Sequence, residues 1–303
     1  MKVKRGIKPS HSKDRPSILV FRIFNTIFLG GTALTCVVLL LHVVALSLSN
    51  NDAIVSNEVT LFPVGFTLTA YKKLLENTRF WMAFGRSIQR VLLGLAVNMT
   101  LVVSCAYPLS KYPQEFRSRN IYFWFFYITA LFSGGMIPLY VVINELGMMD
   151  SLWALVLPTG VSMGNIVLLL NFIRQLPKGM MEAAEIDGAG ELAKLIKIVI
   201  PCSKPCLASI MLFTIVGHWN SWFDGMLYST TTQSYPLQSY LQLIVVQQNF
   251  SAAGITDPEA LEELSSTTMQ TAQIVVAMLP VLLIYPFFQK YFMSGIVLGS
   301  VKE

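Results

Sequence analysis

Apolar positions in this chain form long runs instead of the alternating or striped patterns of a soluble protein. Six runs approach about 20 residues, the length with which a helix crosses the hydrocarbon core of a bilayer. A helix satisfies its own backbone hydrogen bonds in lipid, and the alternating segments of a membrane β-barrel do not occur in the sequence. The pattern therefore predicts an all-α integral membrane protein with six transmembrane helices, at 25–48, 87–107, 121–143, 152–173, 205–222 and 271–292.

Composition supports this prediction, because 54% of the 303 residues are hydrophobic, 13% are charged and the mean hydropathy is +0.58. The first run could be a cleaved secretory signal, but it exceeds the ~7–15 apolar residues of a signal core, which favours a retained anchor. Seventeen of the 22 Lys and Arg residues lie in the N-terminal part, the C-terminal tail and the loops after the second and fourth runs. The positive-inside rule then makes both termini cytoplasmic. The net charge of +5 reflects this topology and does not indicate nucleic-acid binding.

The runs divide the chain into a cytoplasmic tail (1–24), a transmembrane domain (25–292) and a second cytoplasmic tail (293–303). Two connections are longer than helix packing requires: residues 174–204 on the cytoplasmic side and residues 223–270 on the external side. Connections of this length usually carry function.

The cytoplasmic connection contains the acidic stretch EAAEIDGAG, residues 182–190. Pro177 is expected to open a short helix that continues from Met180 to Asp187, and Gly188 to form a left-handed turn. A second helix is expected from Glu191 to Val199, with Pro201 ending it. The acids and the small alanines suit docking into a groove of a protein partner, or they form a solvated face; the residues alone leave both interpretations open.

Several motifs in the sequence resemble the permease subunits of binding-protein-dependent ABC importers. Glu182-Ala183-Ala184, Gly188 and Ile198-Val199-Ile200-Pro201 resemble the EAA loop of these subunits, with Ile200 where leucine is usual. The similarity runs from about Phe62 to the C-terminus. The stretches that resemble the carbohydrate branch are AYKKL (70–74), AYPLS (106–110), MIPLY (136–140), LGMMDSLWA (146–154) and LP (157–158), and those that resemble its oligo- and polysaccharide subgroup are GHWNSWF (217–223) and YPLQ (235–238).

The resemblance implies the ABC importer permease fold and a coupling helix at the EAA loop, seated in a cytoplasmic ATPase. The residues implied to couple are Glu182, Ala183, Ala184, Asp187 and Gly188. It also implies a second permease chain, two ATPase subunits that bind ATP and Mg²⁺, an external solute-binding protein and a carbohydrate substrate. The implied location is the bacterial cytoplasmic (inner) membrane.

The sequence has no phosphate-binding Gly-x-x-x-x-Gly-Lys-Ser/Thr loop, so ATP hydrolysis is expected from a separate chain. No catalytic constellation, metal-ligand spacing or cofactor motif is evident, and the four cysteines indicate no disulfide framework. The alternatives are a membrane-embedded enzyme or an ATP-independent secondary transporter. These would require converging intramembrane charges or internal repeats, whereas Arg90, near one end of a run, is the principal charge.

Two groups of residues are candidates for binding outside the cytoplasmic loop. The candidate substrate path comprises Asn165, Trp219, Asn220, Asp224 and Tyr228, although asparagines in spans also form interhelical hydrogen bonds and tryptophans also anchor at interfaces. The resemblance places contact with the binding protein at the tip of the external loop, at Ser229, Thr230, Thr231, Thr232, Gln233, Ser234 and Tyr235.

Helix irregularities and further helices are also expected. Gly134-Gly135 with Pro138 should bend the third span, and Pro280 with Pro286 the sixth. Helices are expected after Ser234-Tyr235-Pro236 and at Asp257-Pro258-Glu259 in the external loop. The sequence does not identify the saccharide. The external loop has no basic residue and five acidic residues, so it gives no support to a polyanion.

Overall fold

The computed structural model describes residues 16–252 and 267–300, and all regular structure within these ranges is helical. The predicted helix at Asp257-Pro258-Glu259 lies outside the described residues. In chain order the α-helices are α1 (Pro16–Ser47), α2 (Asn51–Val55), α3 (Thr69–Glu76), α4 (Thr78–Ser110), α5 (Arg119–Leu131), α6 (Met136–Glu145), α7 (Leu152–Val156), α8 (Met163–Arg174), α9 (Lys178–Ile186), α10 (Glu191–Lys194), α11 (Ile200–Cys202), α12 (Lys204–Asn220), α13 (Phe223–Tyr228), α14 (Leu237–Ala252) and α15 (Thr267–Ser300). Short 3-10 helices cover Leu157–Thr159 and Thr232–Ser234, and a π-helix covers Leu195–Val199.

Among the described residues, three single helices are long and apolar enough to cross a membrane: α1, α4 and α15. Three further candidates are bent pairs of helices. These are α5 with α6, bent by 109°, α7 and its 3-10 extension with α8, bent by 51°, and the helical segment Glu191–Cys202 with α12, bent by 80°. The structure therefore provides three spans, or up to six if each bent pair is one span.

The third predicted span bends where its glycines are. α5 ends at Leu131, α6 begins at Met136, and Gly135 between them has a φ of +89°, which favours glycine because L-residues with a side chain rarely adopt it. The expected break at this point is confirmed. α15, in contrast, continues without interruption through Pro280 and Pro286.

The prediction that Pro201 ends the second cytoplasmic helix is wrong. The chain stays helical through Pro201 as far as Cys202, and the break comes at Ser203. The π-helix Leu195–Val199 precedes this short segment and makes Pro201 one of its first residues. At that position proline is tolerated, because the amide that it lacks would not need a partner within the helix.

Helix α4 is the centre of the packing. Its second half contributes Val102 and Ala106 to a buried apolar cluster with α8 and α12, which includes Ile166 and Ile210. Its first half contributes Phe80 and Ala83 to a second cluster with α3, α12, α14 and α15. One continuous helix thus holds both clusters in a fixed relation.

Helices α4 and α12 pack closely at Gly94, against the ring of His218. A Cβ atom at Gly94 would overlap that ring, so the small residue permits this crossing. Small residues at helix crossings are typical of membrane proteins, where van der Waals packing holds helices together.

Large apolar surfaces remain on the outside of the bundle. No residue of α5 is buried, and its exposed side chains include Ile121, Trp124 and Phe125. Most apolar side chains of α1 are also exposed. Soluble monomers rarely expose apolar patches of this extent, whereas lipid or partner helices would cover them.

Candidate functional site

The acidic stretch of residues 182–190 forms a short helix closed by a glycine turn. α9 follows Pro177, and Gly188 beyond its end has a φ of +75°. The Gly188 amide donates to the Glu185 carbonyl at 3.0 Å and the Ala189 amide to the Ala184 carbonyl at 2.8 Å. This is the left-handed closure expected of glycine after a helix, and it turns the chain towards α10. The helix itself runs from 178 to 186 instead of 180 to 187.

α9 presents most of its motif residues on an open surface. Glu182, Ala183, Asp187 and Gly188 are exposed, whereas Ala184 is buried against the rest of the protein. Ile186 is 86% exposed, which sequence reasoning missed because a single isoleucine in a helix carries no such signal. An apolar side chain that protrudes among exposed acids forms an amphipathic surface suited to a protein partner.

A network of charges fixes α9 to the C-terminal end of α4. Glu191 at the start of α10 accepts hydrogen bonds from the Tyr107 hydroxyl at 2.7 Å and from the Lys111 ammonium. Lys194, which is buried, donates to Glu191 at 3.1 Å and to Glu185 of α9 at 2.7 Å. One lysine therefore joins α9 to α10, and one glutamate joins α10 to α4.

Two arginines complete this end of α4. The Arg174 Nε donates to the Ser110 carbonyl at 3.1 Å and the Arg119 Nε to the Leu109 carbonyl at 2.7 Å. Cations at the last carbonyls of a helix satisfy unpaired acceptors and oppose the helix dipole favourably. The C-terminal ends of α4 and α8 meet α9 and α10 around a cleft of about 370 Å³, and Glu182 of α9 lies on its wall.

The first half of α4 contains a buried ion pair. The guanidinium of Arg90, which is 1% exposed, binds both carboxylate oxygens of Asp224 in α13, one of them at 3.1 Å. Arg90 also donates to the Ser221 carbonyl at 3.2 Å and the Leu155 carbonyl at 3.4 Å. Sequence reasoning missed this pair, because its partners are 134 residues apart and lie in different predicted elements.

The five residues of the candidate substrate path do not meet in one cavity. Trp219 and Asn220 line a cavity of about 350 Å³ together with Trp222, Gln238 and Gln242. The indole of Trp219 is buried and donates to the Ala277 carbonyl at 3.1 Å, so Asn220 and Trp222 are the more exposed members.

The other three candidates have different surroundings. Asp224 pairs with Arg90, and Tyr228 is buried in an apolar cluster with Ile143, Ala154 and Leu155. Asn165 lies in the first turn of α8, where its amide donates to the Ser162 hydroxyl at 3.4 Å. These positions give Asp224 and Tyr228 structural contacts that the sequence did not indicate.

The tip of the loop predicted to be external, residues 229–235, is held by a single aspartate. Asp150, which has a φ of +61°, accepts hydrogen bonds from the Thr230 hydroxyl and amide, the latter at 2.9 Å, and from the Thr231 amide at 3.4 Å. The hydrogen bond from the Thr230 hydroxyl is the main cause that lowers the pKa of Asp150. These hydrogen bonds connect the loop tip to one carboxylate.

The predicted contact residues divide between exposed and inward positions. Thr230, Thr231 and Gln233 are exposed, whereas Ser229 and Ser234 are buried and Tyr235 packs against the second apolar cluster. Thr232 begins the 3-10 helix. α14 begins at Leu237, directly after Pro236, which confirms the helix predicted there.

The loop tip and the α9–α10 segment lie at opposite ends of α4. The loop tip shares a cavity with Arg86 near the N-terminal end, and the α9–α10 segment meets Tyr107 and Lys111 at the C-terminal end. At a rise of 1.5 Å per residue, Arg86 and Tyr107 are separated by about 30 Å along the axis, the thickness of a bilayer core.

The chain is similar over nearly its whole length to two curated bacterial proteins. The chain is 36% identical to Protein LplC of Bacillus subtilis (strain 168), over 93% of this chain and 95% of that protein. It is also 36% identical to the polygalacturonan/rhamnogalacturonan transport system permease protein YtcP of the same organism, over 93% of this chain and 99% of that protein. No protein-family model matches the chain.

A solved structure has the same fold. A chain from the crystal structure of a bacterial ABC transporter involved in the import of the acidic polysaccharide alginate matches with a TM-score of 0.81 and 30% identity, over 92% of this chain and 98% of that chain. The protein is thus a multi-pass α-helical membrane transport protein. It belongs to the permease proteins of carbohydrate ABC transport systems.

The ion pair predicts the effect of removing one charge. Asp224→Asn leaves Arg90 buried without a counter-charge and should destabilise the protein by about 3–5 kcal/mol. Adding Arg90→Met should recover part of that loss, because the unpaired charge is then absent. Thermal unfolding in detergent measures both. A normal unfolding temperature for Asp224→Asn, combined with reduced saccharide uptake, would instead assign Asp224 to the substrate path.

The network at Lys194 predicts a position-specific effect. Lys194→Met removes the cation between Glu185 and Glu191 and should destabilise the protein by about 1–2 kcal/mol, because both carboxylates remain partly solvated. Lys197→Met, an exposed lysine one turn further on, is the matched control and should have little effect. Equal unfolding temperatures for the two variants would show that the network does not hold α9.

Proposed function

We propose that this chain is the membrane subunit that moves an oligosaccharide or polysaccharide across the bacterial cytoplasmic membrane in an ATP-driven importer. The observation that carries the proposal is the arrangement on α4, with the exposed helix α9 fixed at one end and the ordered loop tip at the other. The polysaccharide substrates in the names of the similar transporters support this substrate class. Membership of a transport permease family supports a chain without enzymatic activity of its own.

The working assembly has four further protein chains. Two ATPase subunits bind ATP and Mg²⁺, and one of them receives α9 through Glu182, Ala183, Asp187 and the protruding Ile186. A second permease chain covers part of the apolar surface on α1 and α5, and lipid covers the remainder. An external solute-binding protein delivers the saccharide to the loop Ser229–Tyr235.

The contacts that attach α9 to α4 provide a route by which movement of the ATPases reaches the membrane helices. Closure of the ATPases on ATP displaces α9, and Lys194, Glu191 and Tyr107 transmit this displacement to the end of α4. Because α4 is continuous, its N-terminal end moves as well. The permease halves then alternate between inward- and outward-facing states around the saccharide, with residues 174–204 and both termini in the cytoplasm.

The cavity lined by Asn220, Trp222, Gln238 and Gln242 is a part of the path suited to sugar. Its amides can donate to and accept from sugar hydroxyls, and the exposed ring of Trp222 can cover an apolar sugar face. Gln238 and Gln242 lie one helical turn apart on α14, so both amides reach the same side.

Variants of α9 test the coupling role. Glu182→Lys reverses a charge on the exposed surface, and Gly188→Val places a β-branched residue at a φ of +75°. Both should lower ATP-driven saccharide uptake at least 10-fold and reduce ATPase recruitment to membranes, while the chain still inserts. Glu58→Lys, another exposed glutamate outside α9, is the control. Normal uptake and recruitment for both variants would leave α9 as a solvated face.

The loop tip has its own test. Replacement of 230–233 by a Gly-Ser stretch removes the threonines that Asp150 holds and should abolish stimulation of the ATPase by the loaded binding protein. Basal ATPase activity should persist, since α9 is at the other end of α4. A crosslinker placed at Gln233 should capture the binding protein. Unchanged stimulation together with no crosslink would exclude this loop as the docking element.

A further inference from the structure

A third cavity lies where the loop tip meets the N-terminal part of α4. It has a volume of about 550 Å³, within the range of small-molecule sites. α4 contributes Trp81, Arg86 and Gln89, and the loop contributes Gln233. The candidate substrate path and the α9 segment include none of these α4 residues.

Arg86 is the only ionisable residue on the wall of this cavity, within the described part of the chain. One of its Nη atoms donates to the backbone carbonyl of Asp150, an uncharged acceptor. No carboxylate in the described ranges lies within ion-pair distance of it, and the Asp150 carboxylate is engaged by Thr230 and Thr231. The cavity therefore carries a positive charge with no counter-ion on its wall.

The Nε of Arg86 is a further donor of this guanidinium whose hydrogen bond is not made within the described residues. It is buried and has no hydrogen-bond acceptor among the described residues. A buried donor without a partner is unfavourable, and arginine is the residue best suited to a carboxylate. An acidic group in the cavity would supply the missing charge.

The rest of the wall suits a sugar ring. Trp81 is 38% exposed, and its indole N–H is already used by the Leu74 carbonyl at 3.1 Å, so its ring is the part that it can offer. Gln89 and Gln233 are exposed amides, which pair with hydroxyl groups. An apolar ring beside amides and a guanidinium matches a uronate better than a neutral sugar.

We propose that this cavity is an entry site for an acidic saccharide, with Arg86 binding the carboxylate and Trp81, Gln89 and Gln233 contacting the ring. The inference rests on the proposed function and refines its substrate class. The external loop has no basic residue and by itself gives no support to a polyanionic substrate. In this cavity the cation comes from α4 instead.

The test uses the whole importer in lipid nanodiscs without its binding protein, so that the permease alone selects. Equilibrium binding is measured for labelled trigalacturonate and for its methyl ester, which has the same rings without charge. The unmodified complex should bind the acid at least 10-fold more tightly, and this preference should decrease with added salt. No binding of the acid, or equal binding of the two, overturns the proposal.

Single variants distinguish binding of the carboxylate by Arg86 from a purely structural role of this residue. Arg86→Gln should weaken binding of trigalacturonate at least 10-fold and of the ester less than 2-fold, whereas Arg86→Lys should retain part of the preference. Gln89→Ala, at an exposed side chain on the cavity wall, should weaken both several-fold. Arg79→Gln removes an exposed charge two turns away on α4 and should change neither. If Arg86→Gln weakens binding of the acid and the ester equally, this arginine only positions Asp150 and the proposal is wrong.

Two further outcomes are decisive. If Arg86→Gln weakens docking of the empty binding protein and leaves saccharide binding unchanged, the cavity is a protein contact and the proposal is wrong. Failure of the proposed function is distinguishable, because it would appear as absence of ATP-driven uptake of any saccharide, acidic or neutral. Uptake of neutral saccharide with no acid preference overturns the inference alone.

Discussion

A single continuous helix, α4, fixes the distance between the exposed α9 segment and the loop tip. α4 runs unbroken from Thr78 to Ser110, and both apolar clusters of the core form around it. Three of the other candidate spans are bent pairs, so their geometry depends on what they pack against. α4 has no such break, which is why the proposed coupling passes through it.

Polar contacts make each end specific. At the C-terminal end, Glu191 and Lys194 hold α9 in place through charges that are partly withdrawn from water. Towards the N-terminal end, Arg90 holds Asp224 in a buried pair, and buried pairs are weak evidence for stability but well suited to fixing one arrangement. The rivals considered from sequence, an enzyme and a secondary transporter, would require converging charges. Arg90 and Asp224 do converge, but their charges neutralise each other, and the relatives are transport permeases.

Local chemistry explains which features the sequence could predict. The helical spans follow from run length, and the breaks at Gly135 and Gly188 follow from the backbone freedom of glycine, which acts within one turn. Pro201 was predicted wrongly because the π-helix before it cannot be read from propensity. Arg90 with Asp224 and Arg86 with the loop tip join residues far apart in sequence, and only packing brings them together. The exposure of Ile186 is likewise a property of the fold.

If the proposed function holds, α4 carries the α9 segment and the loop tip to opposite sides of the membrane. Single cysteines at Asp187 and Gln233, introduced into a variant without Cys36, Cys105, Cys202 and Cys206, can be labelled with a membrane-impermeant thiol reagent. In cells whose cytoplasmic membrane is intact and whose outer layers admit the reagent, we expect labelling at position 233 only. In inside-out vesicles we expect labelling at position 187 only. Labelling of both positions from the same side would contradict it.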